Sequence, residues 1–334
     1  MSKVGTRVAI ATGDPAGIGP EISLKAALDP SVQAICQPIV VGDADVIARH
    51  ARAANISAKL SPITDMKDAA DAGNGLSVLH VPMPEIKDFV FGQNGAAFGR
   101  ASLASASRAI HAALAGDVAA VVAAPQNETS IAAAGIAFDG YPSFVARETG
   151  TDHNNVFLML CFGDTRIVHC TLHVGVAEAV RSITRERVDR VITAADDALR
   201  RLGVATPKID VSGLNPHAGE GGLFGREEIE IIAPAIAEAA QRGIAVEGPF
   251  GADTMFHRKG CDAYVVMLHD QGHITAKLLA HNAIAALAIG TPILFSSVAH
   301  GSAFDIAGKE LANPAAMIEA IKRLCAVPAA AKAA

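Results

Sequence analysis

The feature of this chain that most limits its fold is an alternation. Short runs rich in Val, Ile and Ala, bounded by Gly, Pro and Asp, take turns with Ala-rich stretches of helical length. Strands separated by helices build a largely parallel sheet with helices packed on its faces. On this pattern strands are expected at 8–11, 38–41, 119–123, 156–160, 167–171, 209–212 and 263–268. Helices are expected at 21–28, 99–114, 186–202, 227–242 and 313–324, the last with Asn313 as N-cap and Pro314 in the first turn. Residues 156–171 break the rhythm, because two strand-like runs are joined by Phe162-Gly163-Asp164-Thr165, a hairpin signal. An antiparallel insertion there suits a second domain that dimerises.

Size and charge narrow the class. A chain of 334 residues has room for two domains of roughly 100 to 200 residues each. Its five cysteines are odd in number, scattered and without a C-x-x-C pair, so they read as reduced thiols of a cytoplasmic protein. A net charge of −6 with no basic stripe excludes nucleic acid and a polybasic membrane patch, leaving a small molecule as the expected partner. The N-terminal residues run straight into a strand, and no export signal is expected. The long apolar stretch 283–299 carries Gly290, Thr291, Pro292, Ser296 and Ser297, which argues against a membrane span. The Ala-rich tail, 327–334, is expected to fray.

Three segments carry possible chemistry. Gly13-Asp14-Pro15-Ala16-Gly17-Ile18-Gly19-Pro20-Glu21 joins a strand to a helix, where backbone can approach a ligand, although it is neither G-x-G-x-x-G nor a P-loop. His173, His217 and His269 each lie on or just after a strand; three neutral imidazoles can hold Zn²⁺, Mn²⁺ or Co²⁺ with positions open for substrate oxygens. Their wide separation in sequence does not by itself identify a site. The third segment, Ala299 to Lys309 followed by Ala312-Asn313-Pro314, includes His300-Gly301-Ser302-Ala303-Phe304-Asp305. It resembles the loop with which isopropylmalate and isocitrate dehydrogenases wrap the adenine side of a dinucleotide, departing at Phe304, where those enzymes carry proline.

From Gly13-Asp14-Pro15 to Asn313-Pro314 the chain resembles the 4-hydroxythreonine-4-phosphate dehydrogenase family of pyridoxine biosynthesis. The resemblance implies two open α/β domains around a cleft, similar to isocitrate and isopropylmalate dehydrogenases. Residues 1–135 with 275–334 would form the nucleotide side, and 136–274 a central dimerisation and metal domain. It further implies NAD or NADP held by His300, Gly301, Ser302, Ala303, Asp305 and Asn313. One divalent metal (Zn, Mn, Co or Mg) would be held by His173, His217 and His269, both protomers of a homodimer contributing to each site. Lys277 would contact substrate and Asp253 would lie beside the reacting centre. The implied reaction is oxidation of a secondary alcohol followed by loss of an adjacent carboxylate, with Asp253 or Asp270 available to reprotonate the enolate. Which group acts as base is left open.

The departures point in one direction. Where the family carries Gly-His-Thr-Glu to grip a phosphorylated substrate, this chain has Gly140-Tyr141-Pro142-Ser143. The family's substrate-binding Asn and Arg correspond to Ala286 and Phe295, and the lysine of its Pro-x-x-Lys motif to Glu128. Losing an arginine fork and hydrogen-bonding side chains removes what a phosphate dianion requires. The branch that fits resembles terephthalate cis-dihydrodiol dehydrogenases, which act on a diol carboxylate in aromatic catabolism. Tyr141, Ser143 and Phe295 would then line the substrate, with Arg147 as a cation for its second carboxylate. The alternatives are the pyridoxine-pathway dehydrogenase itself, a phosphothreonate or phosphoerythronate relative, or a non-catalytic dimeric binding protein on the same scaffold.

Overall fold

The computed structural model describes residues 6–70, 75–86, 89–280 and 284–325. The tail 327–334 lies outside the described residues. The chain divides into two compact units: one takes the chain up to Gly150 and again from Pro292, the other takes Thr151–Thr291. Residues 136–150 therefore go with the first unit and 275–291 with the second, whereas the sequence suggested breaks at 135 and 274.

In chain order the strands are β1 (Arg7–Ala11), β2 (Gln37–Gly42), β3 (Leu60–Ile63), β4 (Leu76–His80), β5 (Ala120–Ala123), β6 (Phe157–Phe162), β7 (Thr165–His169), β8 (Lys208–Ser212), β9 (Ala245–Phe250), β10 (Ala263–Val266), β11 (Ala285–Ile289) and β12 (Phe295–Val298). In the first unit they lie in the order β3-β4-β2-β1-β5-β12, all parallel. Val8, Ala9, Ile10 and Ala11 are wholly buried, as are Val121, Val122 and Ala123. A parallel strand covered by helices on both faces must be apolar at successive positions, and this is why these runs do not alternate. The helix Ala96–Leu114 packs with small residues, burying Gly99, Ala101, Ser102, Ala106 and Ala109.

The second unit is ordered β11-β6-β7-β10-β8-β9. β6 and β7 form the expected hairpin, with Phe162 opposite Thr165 and Leu158 opposite His169; Gly163 supplies the positive φ of the turn. β11 is also antiparallel to β6, and β7, β10, β8 and β9 run parallel. The helix Arg185–Arg201 begins at Thr184, whose side chain accepts from the Arg187 N–H. It buries Val188, Val191, Ile192, Ala195 and Leu199, a 3–4 residue spacing in which each large aliphatic contributes about 1.5–3 kcal/mol.

All seven expected strands and all five expected helices have counterparts; β3, β4, β9, β11 and β12 were not expected. The apolar stretch read as unfit for a membrane contains β11 and β12. Among the described residues no helix is long and apolar enough to cross a membrane. Among the described residues, none of the five cysteines is joined in a disulfide. Asn313 caps the last helix through Oδ1, which accepts from the Ala315 N–H at 2.9 Å.

Candidate active site

Parallel strands present their carboxyl ends on one side, where loops converge on ligands in open α/β sheets. In the second unit the neighbouring strands β7, β10, β8 and β9 lead into the segments bearing His173, His269, His217 and Asp253, in that spatial order. Adjacent strands are about 4.8 Å apart, so this edge gathers side chains remote in sequence.

His269 opens the helix His269–Leu279, and Lys277 lies eight residues on, near the same face. The rings of His173 and His269 are 5.5 Å apart between centroids. Two histidines not singled out from the sequence join them. His273 stacks on His269 at 3.8 Å and 10°, and His169, wholly buried at the end of β7, approaches His273 with Nε2 to Nδ1 of 3.0 Å. If His169 Nδ1–H donates to the Leu158 carbonyl at 3.4 Å, its Nε2 accepts from His273 Nδ1–H, which leaves a lone pair on His273 Nε2. Burial, with the neighbouring ring His273, pushes His169 down to about 3, and burial with the charge of His269 pushes His273 to about 4. These two rings are neutral at pH 7. The spacing His269-Asp270-Gln271-Gly272-His273 is itself an i, i+4 helical pair and could have drawn attention to the second ring.

His217 is held differently. Residues His217 to Gly221 all have left-handed backbone, with φ of 53, 51, 77, 44 and 67°. Three of them are not glycine, and each such residue costs on the order of 1–2 kcal/mol. The loop carries the His217 backbone to Gly251: a Cβ built there would lie 2.8 Å from Asp253 Oδ1 and 3.7 Å from His217 Cα. The His217 ring faces Phe224 at 6.4 Å. Beneath the loop, burial alone would raise the Glu228 carboxyl, but hydrogen bonds from the Asn215 side chain and backbone and from the Leu214 amide outweigh it and hold the group below its usual range.

The three expected ligands are thus only partly assembled in the one chain: among the described residues, no three His, Cys, Asp or Glu side chains form a metal-sized group. His173 and His269 are brought together, while the loop turns His217 toward Gly251 and Phe224. The donor chemistry suits a borderline divalent cation, since imidazoles predominate and Asp270 Oδ1 lies 2.7 Å from His269 Nδ1. A carboxylate accepting from Nδ1–H leaves Nε2 with the lone pair, the arrangement usual behind ligating histidines. Asp270 is thereby better placed to orient His269 than to deliver a proton to substrate. Asp253 and Lys277 are exposed.

In the first unit the loops after β1, β5 and β12 lie side by side. The Ile18 N–H donates to the Ser302 carbonyl at 2.9 Å, and Gly17 comes so close that a Cβ there would stand 2.8 Å from Ser302 Cβ. The buried Glu21 carboxylate accepts from Lys25 Nζ at 2.7 Å and from the Ala312 N–H at 3.2 Å; Lys25 in turn donates to the carbonyls of Glu310 and Ala312. Both ends of the 299–313 segment are therefore pinned to the helix Gly19–Ala27 and to Ile18 just ahead of it. Within it His300, Gly301, Asp305 and Asn313 are exposed, Ala303 has φ 41°, and the buried Ser302 Oγ has no protein partner. Exposed polar groups and an unpaired hydroxyl on an anchored loop fit a dinucleotide.

The expected substrate residues are placed less simply. Tyr141 and Phe295 are buried with ring centroids 5.0 Å apart, and Phe138 and Phe144 pack around Tyr141. The Tyr141 hydroxyl donates to the Ala124 carbonyl at 2.8 Å and accepts from Gln126 Nε2 at 2.7 Å, while Gln126 Oε1 accepts from Ser102. Burial raises the phenol's pKa. This pair fills core volume instead of offering polar handles, and Gln126 and Ser102 were missed because neither carries a motif. Ser143 donates to Asp139, and the exposed Arg147 donates to the Ala137 carbonyl. Glu128 is exposed in the first turn of the helix Glu128–Ala133, and Ala286 lies in β11 opposite Leu160.

Residues 34–324 match the family described as pyridoxal phosphate biosynthetic protein PdxA. A 1,2-dihydroxy-3,5-cyclohexadiene-1,4-dicarboxylate dehydrogenase of Comamonas sp is 41% identical, covering 98% of this chain and 100% of that one. A D-threonate 4-phosphate dehydrogenase of Cupriavidus necator is 37% identical over 95% of each. Among solved structures, a terephthalate 1,2-cis-dihydrodiol dehydrogenase from Burkholderia xenovorans superposes with a TM-score of 0.72 at 43% identity, covering 96% of this chain and 98% of that one. The chain belongs to the PdxA family.

Proposed function

We propose that this protein is a metal-dependent NAD(P) dehydrogenase that oxidises a cyclohexadiene cis-diol dicarboxylate and releases CO₂, giving a catechol acid such as protocatechuate. The observation that carries the choice of substrate is the buried Tyr141–Phe295 pair, whose phenol is already committed to Ala124 and Gln126. Because both side chains fill core volume and the phenol is committed, neither supplies the charged or multiple donors that a phosphate dianion needs, which favours a substrate without a phosphate. Similarity to the Comamonas and Burkholderia proteins supports the same reading.

In this mechanism the loop 299–313 orients the dinucleotide, held in register by Glu21 and Lys25. His173, His217 and His269 would hold the divalent ion, which supplies Lewis acidity to the substrate's oxygens. Asp270 fixes the tautomer of His269. The Lys277 ammonium favours loss of the reacting hydroxyl's proton to bulk water, and the dinucleotide, when held by the loop 299–313, would supply the hydride acceptor. Loss of the adjacent carboxylate as CO₂ leaves an enolate, and Asp253 is the acid available to protonate it. Aromatisation makes the second step favourable.

The working form is a homodimer with shared sites. Exposed apolar side chains stand beside each of the three histidines in sequence: Val174 and Val176 after His173, Leu223 and Phe224 after His217, and Ile274 and Leu278 on the helix that His269 opens. Exposed patches of this kind favour burial against a partner. Sedimentation of the wild type and of Leu278→Glu tests this; a wild-type monomer refutes it.

The D-threonate 4-phosphate dehydrogenase relative keeps a second reading in view, oxidation of a phosphorylated hydroxy acid. The deciding experiment offers the metal-loaded protein terephthalate cis-dihydrodiol, D-threonate 4-phosphate and 4-phosphohydroxythreonine separately, following NAD(P)H formation and CO₂. Reduction only with a phosphorylated substrate overturns the diol proposal. No dinucleotide binding and no reduction with any of them returns the chain to a non-catalytic binding role.

A further inference from the structure

We infer that Glu228 is a positioning residue, whose carboxylate holds the left-handed turn His217–Gly221 in the conformation that presents His217 to the metal. The inference rests on the metal-dependent reading above.

Three of the five successive left-handed residues are not glycine, so the turn's own short-range hydrogen bonds work against their backbone preference and surrounding groups help impose its conformation. Glu228 supplies the constraint from below. It is buried, and its Oε1 accepts from the N–H groups of Leu214 at 2.8 Å and Asn215 at 2.7 Å, where the chain leaves β8. Oε2 accepts from Asn215 Nδ2 at 3.0 Å. The same carboxylate packs against both sides of the turn. A Cβ on Gly213 would come within 3.0 Å of Oε1, and one on Gly219, whose φ is +77°, within 2.7 Å of Oε2. Glycine at 219 therefore serves two needs, the left-handed backbone and room for the carboxylate.

The helix that bears Glu228 is adapted to the task. Glu228–Ile232 is a π-helical turn ahead of the α-helix Ala233–Gln241, and this wider turn directs Glu228 inward while its neighbour Glu227 reaches Asn215 Nδ2 at 2.7 Å. Asn215 is thereby clamped between two carboxylates, two residues before His217. Losing these bonds frees the turn to relax toward right-handed backbone, and His217 moves with it.

The test is Mn²⁺ affinity, read from free Mn²⁺ by electron paramagnetic resonance on the purified full-length protein, together with melting temperature and NADH binding. Glu228→Ala is expected to weaken Mn²⁺ binding about 10- to 100-fold, the range for losing a group that orients a ligand, with NADH affinity unchanged. Glu228→Gln keeps a carbonyl oxygen for the Leu214 and Asn215 amides and should recover most of the affinity. Should Glu228→Ala fail to fold, Gly219→Ala displaces the carboxylate from the other side and is expected to weaken Mn²⁺ similarly. Wild-type affinity in a folded Glu228→Ala or Gly219→Ala protein overturns the inference, as does an equal loss of Mn²⁺ and NADH affinity. A wild type that binds no Mn²⁺, Zn²⁺ or Co²⁺ overturns the metal reading and this inference together.

Discussion

The two units carry their candidate sites on the same kind of feature, the carboxyl ends of parallel strands, but prepare them in opposite ways. In the first unit the segment 299–313 is tied to the start of a helix by Glu21, Lys25 and the Ile18 amide. The same unit buries His50 and Asp14. In the second unit the histidines stand among exposed apolar side chains, and one is borne on a strained left-handed turn. A binding loop can be completed by its own domain when short hydrogen bonds reach both of its ends. A polar cluster flanked by exposed apolar surface gains most from a partner that covers it.

The sharpest way to break this contrast is His217→Ala. Removing one donor of three should cost several kcal/mol of charge stabilisation, on the order of a thousandfold in turnover, with metal content lost and NADH binding retained. Full activity in that variant removes His217 from the mechanism.

Phe295→Arg probes the interior of the first unit. Phe295 is 1% exposed and packs on Tyr141, so the new cation would be buried without a partner, and the melt should report a loss on the order of 3–5 kcal/mol. Recovery of stability with a phosphorylated substrate, but not with sulfate, would show that the position can still become an anion grip.

Acid sensitivity distinguishes the buried groups of the first unit from each other. Burial pushes His50 down to about 4, its Nε2 lying 2.8 Å from the Pro15 carbonyl. Its contribution to stability is present above the unfolded value near 6.5 and is lost as pH falls from there toward 4, because only the unfolded chain takes up the proton. Burial raises Asp14 to about 6 against the hydrogen bonds from Ala16 and Ser130. Its contribution has the opposite sign: present below 3.8, it is lost as pH rises toward 6. The two largely offset each other between pH 4 and 6. His50→Gln should therefore make stability fall more steeply as pH rises through this window, relative to wild type, and Asp14→Asn should make it fall more steeply as pH drops. Parallel pH profiles of urea unfolding for all three proteins would contradict both assignments.

The smallest effect is expected from Glu21→Gln. An amide can still meet Lys25 or Ala312 but loses the charge, about 1 kcal/mol at the anchor, so NADH should bind roughly 3- to 10-fold more weakly while Mn²⁺ binding is unmoved. Coupled loss of both affinities would argue that the two halves of the machinery are not separately prepared.

Much of this was legible in the sequence because it is governed by local rules. The buried parallel strands announce themselves as uninterrupted apolar runs, the β6–β7 hairpin by Gly163-Asp164, and the last helix by Asn313-Pro314. The strands β3, β4, β9, β11 and β12 were not legible: β3 and β9 carry Pro62 and Pro249, and β11 and β12 lie within one apolar stretch broken by Gly290, Thr291 and Pro292. His173, His217 and His269 could be nominated from strand-end positions and family resemblance, yet their grouping depended on the strand order β7-β10-β8-β9, which reorders the chain. The same reordering brought His169 to His273 across 104 residues, and in the first unit the pairing of β12 with β5 set Phe295 against Tyr141 in a core.

By itself, then, the sequence determined the α/β layering and the family and nominated some of the residues able to do chemistry, because propensity, turn chemistry and motif spacing act within a few residues of chain. Only the tertiary structure decided which of them meet, which are buried and what state burial leaves them in. Strand order, the left-handed turn over Glu228 and the desolvation of His50, Asp14 and His169 all come from contacts between segments far apart in sequence, which no local pattern encodes.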